Sequence, residues 1–238
     1  MRKKMASILF AALILGGCES TAQHRANEIT VVGQMRNVMW KGQLDGLIHL
    51  DTITPKTGLY GLGPVEFLAG EILIIDGKSF KSTAVNDADM KLEETFDIKA
   101  PFFGYAWIAG WKEQDFPDSI QTIPQLELYL DQITRSSPRP FLFKLEGIVE
   151  KATIHVVDLP KGIQVRSPQD AHKGQKNYTL HHVPSDIIGF FSTEHKAIFT
   201  HHDTFVHMHL VTADRKQMGH LDEVFFNKSS MKLYLPME

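Results

Sequence analysis

The sequence predicts an α/β chain of the α+β type, two strand-rich parts with few helices, on three observations. Between Ile29 and about Phe116, short apolar runs are punctuated by Gly, Pro and Asp, the pattern of strands joined by tight turns. One well-signalled helix opens near Thr122. The run Ser136-Ser137-Pro138-Arg139-Pro140 then breaks the chain and marks a boundary between parts 29–136 and 137–238.

In the first part the clearest hairpin is Glu71-Ile72-Leu73-Ile74-Ile75, then Asp76-Gly77, then Lys78-Ser79-Phe80. Asp-Gly supplies the positive φ angles that a two-residue turn requires. The helix begins with Thr122 as N-cap, Pro124 in the first turn and Gln125 placed to reach back in a capping box. Ile123, Leu126, Leu130 and Ile133 mark its buried stripe. The second part resumes with strands at Phe141–Leu145 and Thr153–Val157, and a polar stretch over 161–177 reads as an exposed loop. His181 and His182 read as loop, His201 and His202 as surface, and Trp40, Trp107 and Trp111 as core or interface packing.

Composition bounds the function. The 238 residues, 43% hydrophobic, suffice for a real core, and 25 basic against 28 acidic residues leave a net charge of -3 with no nucleic-acid footprint. The N-terminus is a separate segment. Arg2, Lys3 and Lys4 precede an apolar stretch from Met5 to Leu15, too short to span a bilayer, and Leu15-Gly16-Gly17-Cys18 closes it. This resembles a bacterial lipoprotein signal: residues 1–17 as signal peptide, Cys18 as the lipidated residue, and 18–28 as a polar tether. The expected location is the cell envelope, outside the cytoplasm, with the membrane met only through the lipid anchor. Cys18 is the only cysteine, so no disulfide and no thiolate metal ligand is available.

Eight of the twelve histidines fall between 181 and 220, and three of them are spaced H-x-H-x10-H at His207, His209 and His220. In Val206-His207-Met208-His209-Leu210 the apolar residues alternate with the histidines, so at strand period both imidazoles share a face. Ala213-Asp214-Arg215-Lys216 reads as a turn and Gly219 to Phe226 as the returning strand. If the loop holds an even number of residues, His220 faces the same way, within a cross-strand reach of roughly 4.5–8 Å. Three imidazoles would then converge and leave open a fourth position of the kind a catalytic zinc keeps. Spacing alone leaves a chance cluster in a histidine-rich region equally open.

With these segments in view, the chain resembles the α-acetolactate decarboxylase family. The resemblance rests on Gly61-Leu62-Gly63, on Leu68-Ala69-Gly70-Glu71-Ile72 through Gly77, on the strand around Gly147, on Gly189-Phe190-Phe191-Ser192, and on His207-Met208-His209 with Asp214-Arg215 and Gly219-His220. It implies a mixed sheet in the N-terminal part, a more antiparallel one in the C-terminal part, and a zinc ion between them. Carried over, the zinc ligands are His207, His209 and His220, and the acidic neighbour and proton donor is Glu71. The implied reaction removes CO2 from 2-acetolactate to give acetoin, with the metal stabilising an enediolate.

The chain departs from the family pattern at three places. His155, eight residues after Gly147, stands where the family has a carboxylate-binding arginine, and it lacks the bidentate fork. Pro64-Val65-Glu66 replaces a Thr-Phe-Asn run, and the tail ends at Leu235-Pro236-Met237-Glu238, where the family supplies a second glutamate. His155 is thus expected at the site beside Glu71, on a small hydroxy-keto acid, with a homodimer as an admissible assembly. Two alternatives stay open: a zinc- or small-molecule-binding lipoprotein of the same fold without decarboxylation, and a hydrolysis driven by zinc-bound hydroxide.

Overall fold

The computed structural model describes residues 26–196, 198, 200, 204–227 and 229–237. The leader, Cys18, His201, His202 and Glu238 lie outside the described residues. In chain order the first elements are β1 (Thr30–Val32), α1 (Met35–Lys41), β2 (Ile48–His49), β3 (Leu59–Pro64), β4 (Glu71–Ile75) and β5 (Lys78–Ala84). Then come β6 (Met90–Glu94), β7 (Lys99–Ala100), β8 (Phe103–Trp107), β9 (Trp111–Gln114) and α2 (Ile123–Ile133). The second half holds β10 (Phe141–Val156), α3 (Pro168–Ala171), β11 (Lys176–Phe191), β12 (Val206–Thr212), β13 (Met218–Phe226) and β14 (Lys232–Pro236).

These strands form two six-stranded sheets, ordered β1-β8-β3-β4-β5-β6 and β11-β12-β13-β10-β14-β9, with β2 and β7 as a separate pair. The α+β class and the scarcity of helices are as expected. The first sheet, however, is antiparallel throughout rather than mixed. The physical reason is its connectivity. β3 to β6 follow one another as a meander, and a parallel pair would need a crossover connection, usually helical, which this segment lacks. In the second sheet β10 pairs with β11 on one edge and β13 on the other, while β12 bridges β11 and β13, so these four strands close into a ring.

Local chemistry accounts for the landmarks. Asp76 and Gly77 take φ values of 45° and 75° at the β4–β5 turn, the conformation their side chains permit most cheaply. At α2, the Thr122 backbone N–H donates to Gln125 Oε1 at 3.1 Å. Leu126 and Leu130 are buried, but Ile133 is 37% exposed, because the helix ends there and its last turn projects past the sheet. The polar stretch 161–177 is not wholly loop, for Ser167 caps the short helix α3 by accepting from the Asp170 N–H at 3.2 Å. His181 and His182 lie on the outer face of β11 rather than in a loop, and His182 interacts with Glu150 at 3.2 Å.

Strand periodicity sorts the apolar side chains into layers. Along β4, Leu73 faces the second sheet, whereas Ile72 and Ile74 pack outward with Leu59 and Phe103. Along β12, Val206, Met208 and Leu210 join the core beneath α2, whereas Val211 faces the first sheet. Glu71 shares the face of Leu73, and His207 and His209 share the face of Val211, so the polar groups are delivered to the junction of the sheets. Gly104 of β8 leaves room there for the Phe190 ring, which a Cβ would meet at 2.7 Å. Trp111 fastens the junction further out: it lies on β9 in the second sheet, and its Nε1 donates to the Tyr60 hydroxyl of the first at 3.0 Å. Trp107 donates to the Pro55 carbonyl, while Trp40 is 42% exposed on α1 and is no core residue.

Phe190→Ala empties the space over Gly104. It should lower the unfolding free energy by about 3–5 kcal/mol, as for other buried Phe truncations, which guanidinium denaturation measures directly.

Candidate metal centre

β12 and β13 pair with His209 directly opposite His220, and β13 and β10 pair with His155 directly opposite His220. Three histidines therefore form one row across three adjacent strands, with His207 two residues along β12. The turn between β12 and β13 keeps the even spacing on which the convergence depended, and Thr212 organises it by accepting from the Gln217 backbone N–H at 3.1 Å. The rings of His207 and His209 stand 5.2 Å apart, those of His207 and His220 5.0 Å, and those of His209 and His220 5.5 Å. One ligand atom from each residue of this trio lies within 4.8 Å of the other two.

All three are buried, His209 completely. Burial holds the His209 imidazole well below the ordinary histidine range; His207 and His155 add to the shift, and the Ile72 backbone offsets part of it. At neutral pH this ring thus keeps its lone pair, the form that binds a metal. Among the described residues His209 makes no hydrogen bond of standard geometry, with the Ile72 backbone and the Glu71 carboxyl as its polar neighbours. A buried imidazole so placed, facing two more, fits a zinc-type ion that accepts nitrogen ligands.

Glu71 stands beside the trio at the start of β4, its Oε2 3.6 Å from His209 Nε2 and its Oε1 3.9 Å from His155 Nε2. Burial pushes its carboxyl well above the usual carboxylate range; the Val157 N–H, 3.4 Å from Oε1, opposes this, and the Asp222 carboxylate reinforces it. His155 is buried as well, and its Nδ1 meets Asp222 at 2.8 and 2.9 Å.

The five predicted residues, His207, His209, His220, Glu71 and His155, therefore come together. Sequence reasoning passed over Asp222 and His172. Asp222 follows His220 by two residues, but it sits at a register shift of β13 that the sequence pattern does not announce. His172, whose ring packs edge-on to His155 at 5.9 Å, comes from α3, and no periodicity announced it. Glu71, His155, His172, His207 and His220, with Met35, Met39, Pro64, Leu68, Phe102 and Val157, line a cavity of about 30 Å³. That is room for water-sized occupants, not for a five-carbon acid. Met35 and Met39 are the unbranched, adaptable side chains of the cavity lining.

Fold and site define an α+β protein of two packed antiparallel sheets with a metal-type histidine cluster at their junction. Comparison with known proteins makes this specific. The family model for alpha-acetolactate decarboxylase matches residues 32–235, and the chain belongs to that family. The alpha-acetolactate decarboxylase of Lactococcus lactis subsp. cremoris is 24% identical over 213 residues, which cover 87% of this chain and 85% of that protein. Among solved structures, acetolactate decarboxylase from Bacillus subtilis subspecies spizizenii superposes with a TM-score of 0.72 at 20% identity, covering 88% of this chain and 86% of the other. A Staphylococcus aureus protein of unknown function, described as similar to alpha-acetolactate decarboxylase, superposes with a TM-score of 0.70 at 16% identity and the same coverage. These structures share the fold.

Replacing His209 with Ala leaves two imidazoles, a poor site for zinc. Whatever metal elemental analysis finds in the purified parent protein should fall to near zero in this variant, with the far-ultraviolet circular dichroism retained.

Proposed function

We propose that this chain decarboxylates 2-acetolactate to acetoin with zinc at His207, His209 and His220. The observation that carries the reading is a buried Glu71, its carboxyl pushed above the usual range by desolvation, beside three converging imidazoles, within a chain of this family. When bound, a zinc ion held by neutral imidazoles keeps its full positive charge and supplies Lewis acidity toward the hydroxyl and keto oxygens of the substrate.

The protein's own groups do the rest. The sheet junction excludes bulk water, which strengthens every electrostatic contact there. As the bond to the carboxylate breaks and CO2 departs, its electron pair stays on the substrate carbon. Glu71, whose carboxyl burial pushes above the usual carboxylate range, then delivers a proton to that carbon from its acid form and recovers one from water. His155 faces the same cavity and offers Nε2 to the substrate where the family resemblance places an arginine. The leader segment supports an envelope location with Cys18 as lipid anchor, so the substrate would be met outside the cytoplasm.

One observation favours a second reading. Among the described residues no arginine or lysine lines the cavity, so they offer a substrate carboxylate no permanent cation. A zinc- or small-molecule-binding protein without decarboxylase activity would tolerate that loss. Incubation with racemic acetolactate separates the two: acetoin formation abolished by a chelator and restored by zinc supports the enzyme, and zinc-replete protein that forms none supports the binder.

Two further outcomes follow for the enzyme. Glu71→Gln should lower kcat by about 10²–10⁴-fold, the usual contribution of a general acid, while the zinc content stays near that of the parent. Because the acid form of Glu71 is the active one and its pKa is raised, kcat should fall as pH rises through that pKa, at a higher pH than for an ordinary glutamate, and a pH profile reads this limb.

A further inference from the structure

His155 poses a problem that an arginine at the same position would not. Its ring lies 4.7 Å from that of His220, closer than any two rings of the trio lie to each other. An imidazole so placed on the same row can act as a metal ligand, and a fourth histidine would turn an open three-ligand site into a closed tetrahedral one. Yet His155 is not among the residues whose ligand atoms converge.

Asp222 supplies the reason. Thr153 pairs with Glu223 and Ile154 with Leu221, so Asp222 is the extra residue of a β-bulge on β13. A bulge re-aims a side chain, and here the carboxylate is turned onto His155. Both its oxygens lie within 2.9 Å of Nδ1. A carboxylate only accepts, so Nδ1 carries the hydrogen, the ring's lone pair sits on Nε2, and the carboxylate fixes the direction in which that lone pair points. The remaining nitrogen, Nε2, is turned toward Glu71 Oε1, 3.9 Å away. His172 packs against the ring edge-on at 5.9 Å and limits its rotation.

We propose that Asp222 is a positioning residue that holds His155 out of the metal's coordination sphere and so keeps the fourth position open for substrate. The inference rests on zinc binding by the trio, as in the function proposed above. It differs from a carboxylate that merely raises the basicity of a metal ligand, because the histidine it holds is kept from ligating.

Cobalt(II) as a spectroscopic probe, with zinc for affinity, tests it on the purified full chain. Cobalt-loaded parent protein should show an open site with exchangeable water, read in its visible spectrum and in water proton relaxation. In Asp222→Ala, His155 should ligate: the spectrum shifts to that of a four-nitrogen tetrahedral site, the water signal is lost, and zinc binds about tenfold more tightly in chelator competition. Asp222→Asn keeps an oxygen that accepts from Nδ1 and should retain the parent spectrum. The double variant Asp222→Ala with His155→Gln should regain the open-site signals. If Asp222→Ala is not recovered folded, Asp222→Ser supports the same measurement, since its side chain is too short to hold the ring. An unaltered spectrum in the Ala or Ser variant, or a shift that survives His155→Gln, would overturn the proposal. Parent protein that binds neither metal would instead overturn the zinc reading itself.

Discussion

The site depends on strand register. His209 opposite His220, and His220 opposite His155, are consequences of how β12, β13 and β10 are paired. Side chains alternate with a period of two, so a one-residue slip of β13 would send His220 to the face that packs under α2 and bring Gly219 or Leu221 into the row. That register is held by more than the backbone ladder. Val206, Met208 and Leu210 are committed to one core and Val211 to the other, so slipping β12 would bury histidines in the apolar layer and expose it to the cavity.

Concentrating four histidines and a carboxyl between two sheets is unfavourable by itself, because each polar group is removed from water. The surrounding packing offsets this cost. The cluster lies at one end of an apolar junction in which Leu62, Leu73, Leu142, Ile188 and Phe190 are wholly buried. The same desolvation changes the chemistry of the groups it surrounds: it holds the His209 imidazole below the ordinary histidine range and pushes the Glu71 carboxyl above the ordinary carboxylate range. One environment thus prepares an imidazole to bind a cation and a carboxyl to give up a proton.

Much of this arrangement was legible in the residue pattern. The alternation in Val206–Leu210 and the even spacing to His220 were enough to put three imidazoles on one face, and the Asp76-Gly77 turn and the Thr122/Gln125 cap were read from local chemistry. Glu71 and His155 needed the family resemblance, since a single carboxylate or histidine on an apolar strand carries no positional signal. What stayed illegible depends on distant contacts. The antiparallel order of the first sheet is decided by which strand β8 returns to, and the exposure of Trp40 and Ile133 by where neighbouring elements end. The outer-face placement of His181 and His182 follows from the length of β11, which runs sixteen residues where the polar sequence suggested a break. Asp222 owes its role to a bulge, and bulges leave little trace in hydrophobic periodicity.

Strand β9 has a mechanical consequence. It belongs in sequence to the first half, yet it is hydrogen-bonded to β14 at the rim of the second sheet, with Trp111 reaching back to Tyr60. The two halves are stitched across their seam, so they cannot swing apart like the jaws of a hinged enzyme. A guest larger than water therefore has to be accommodated by side chains shifting around the small chamber, whose unbranched members are the thioethers of a seven-residue helix.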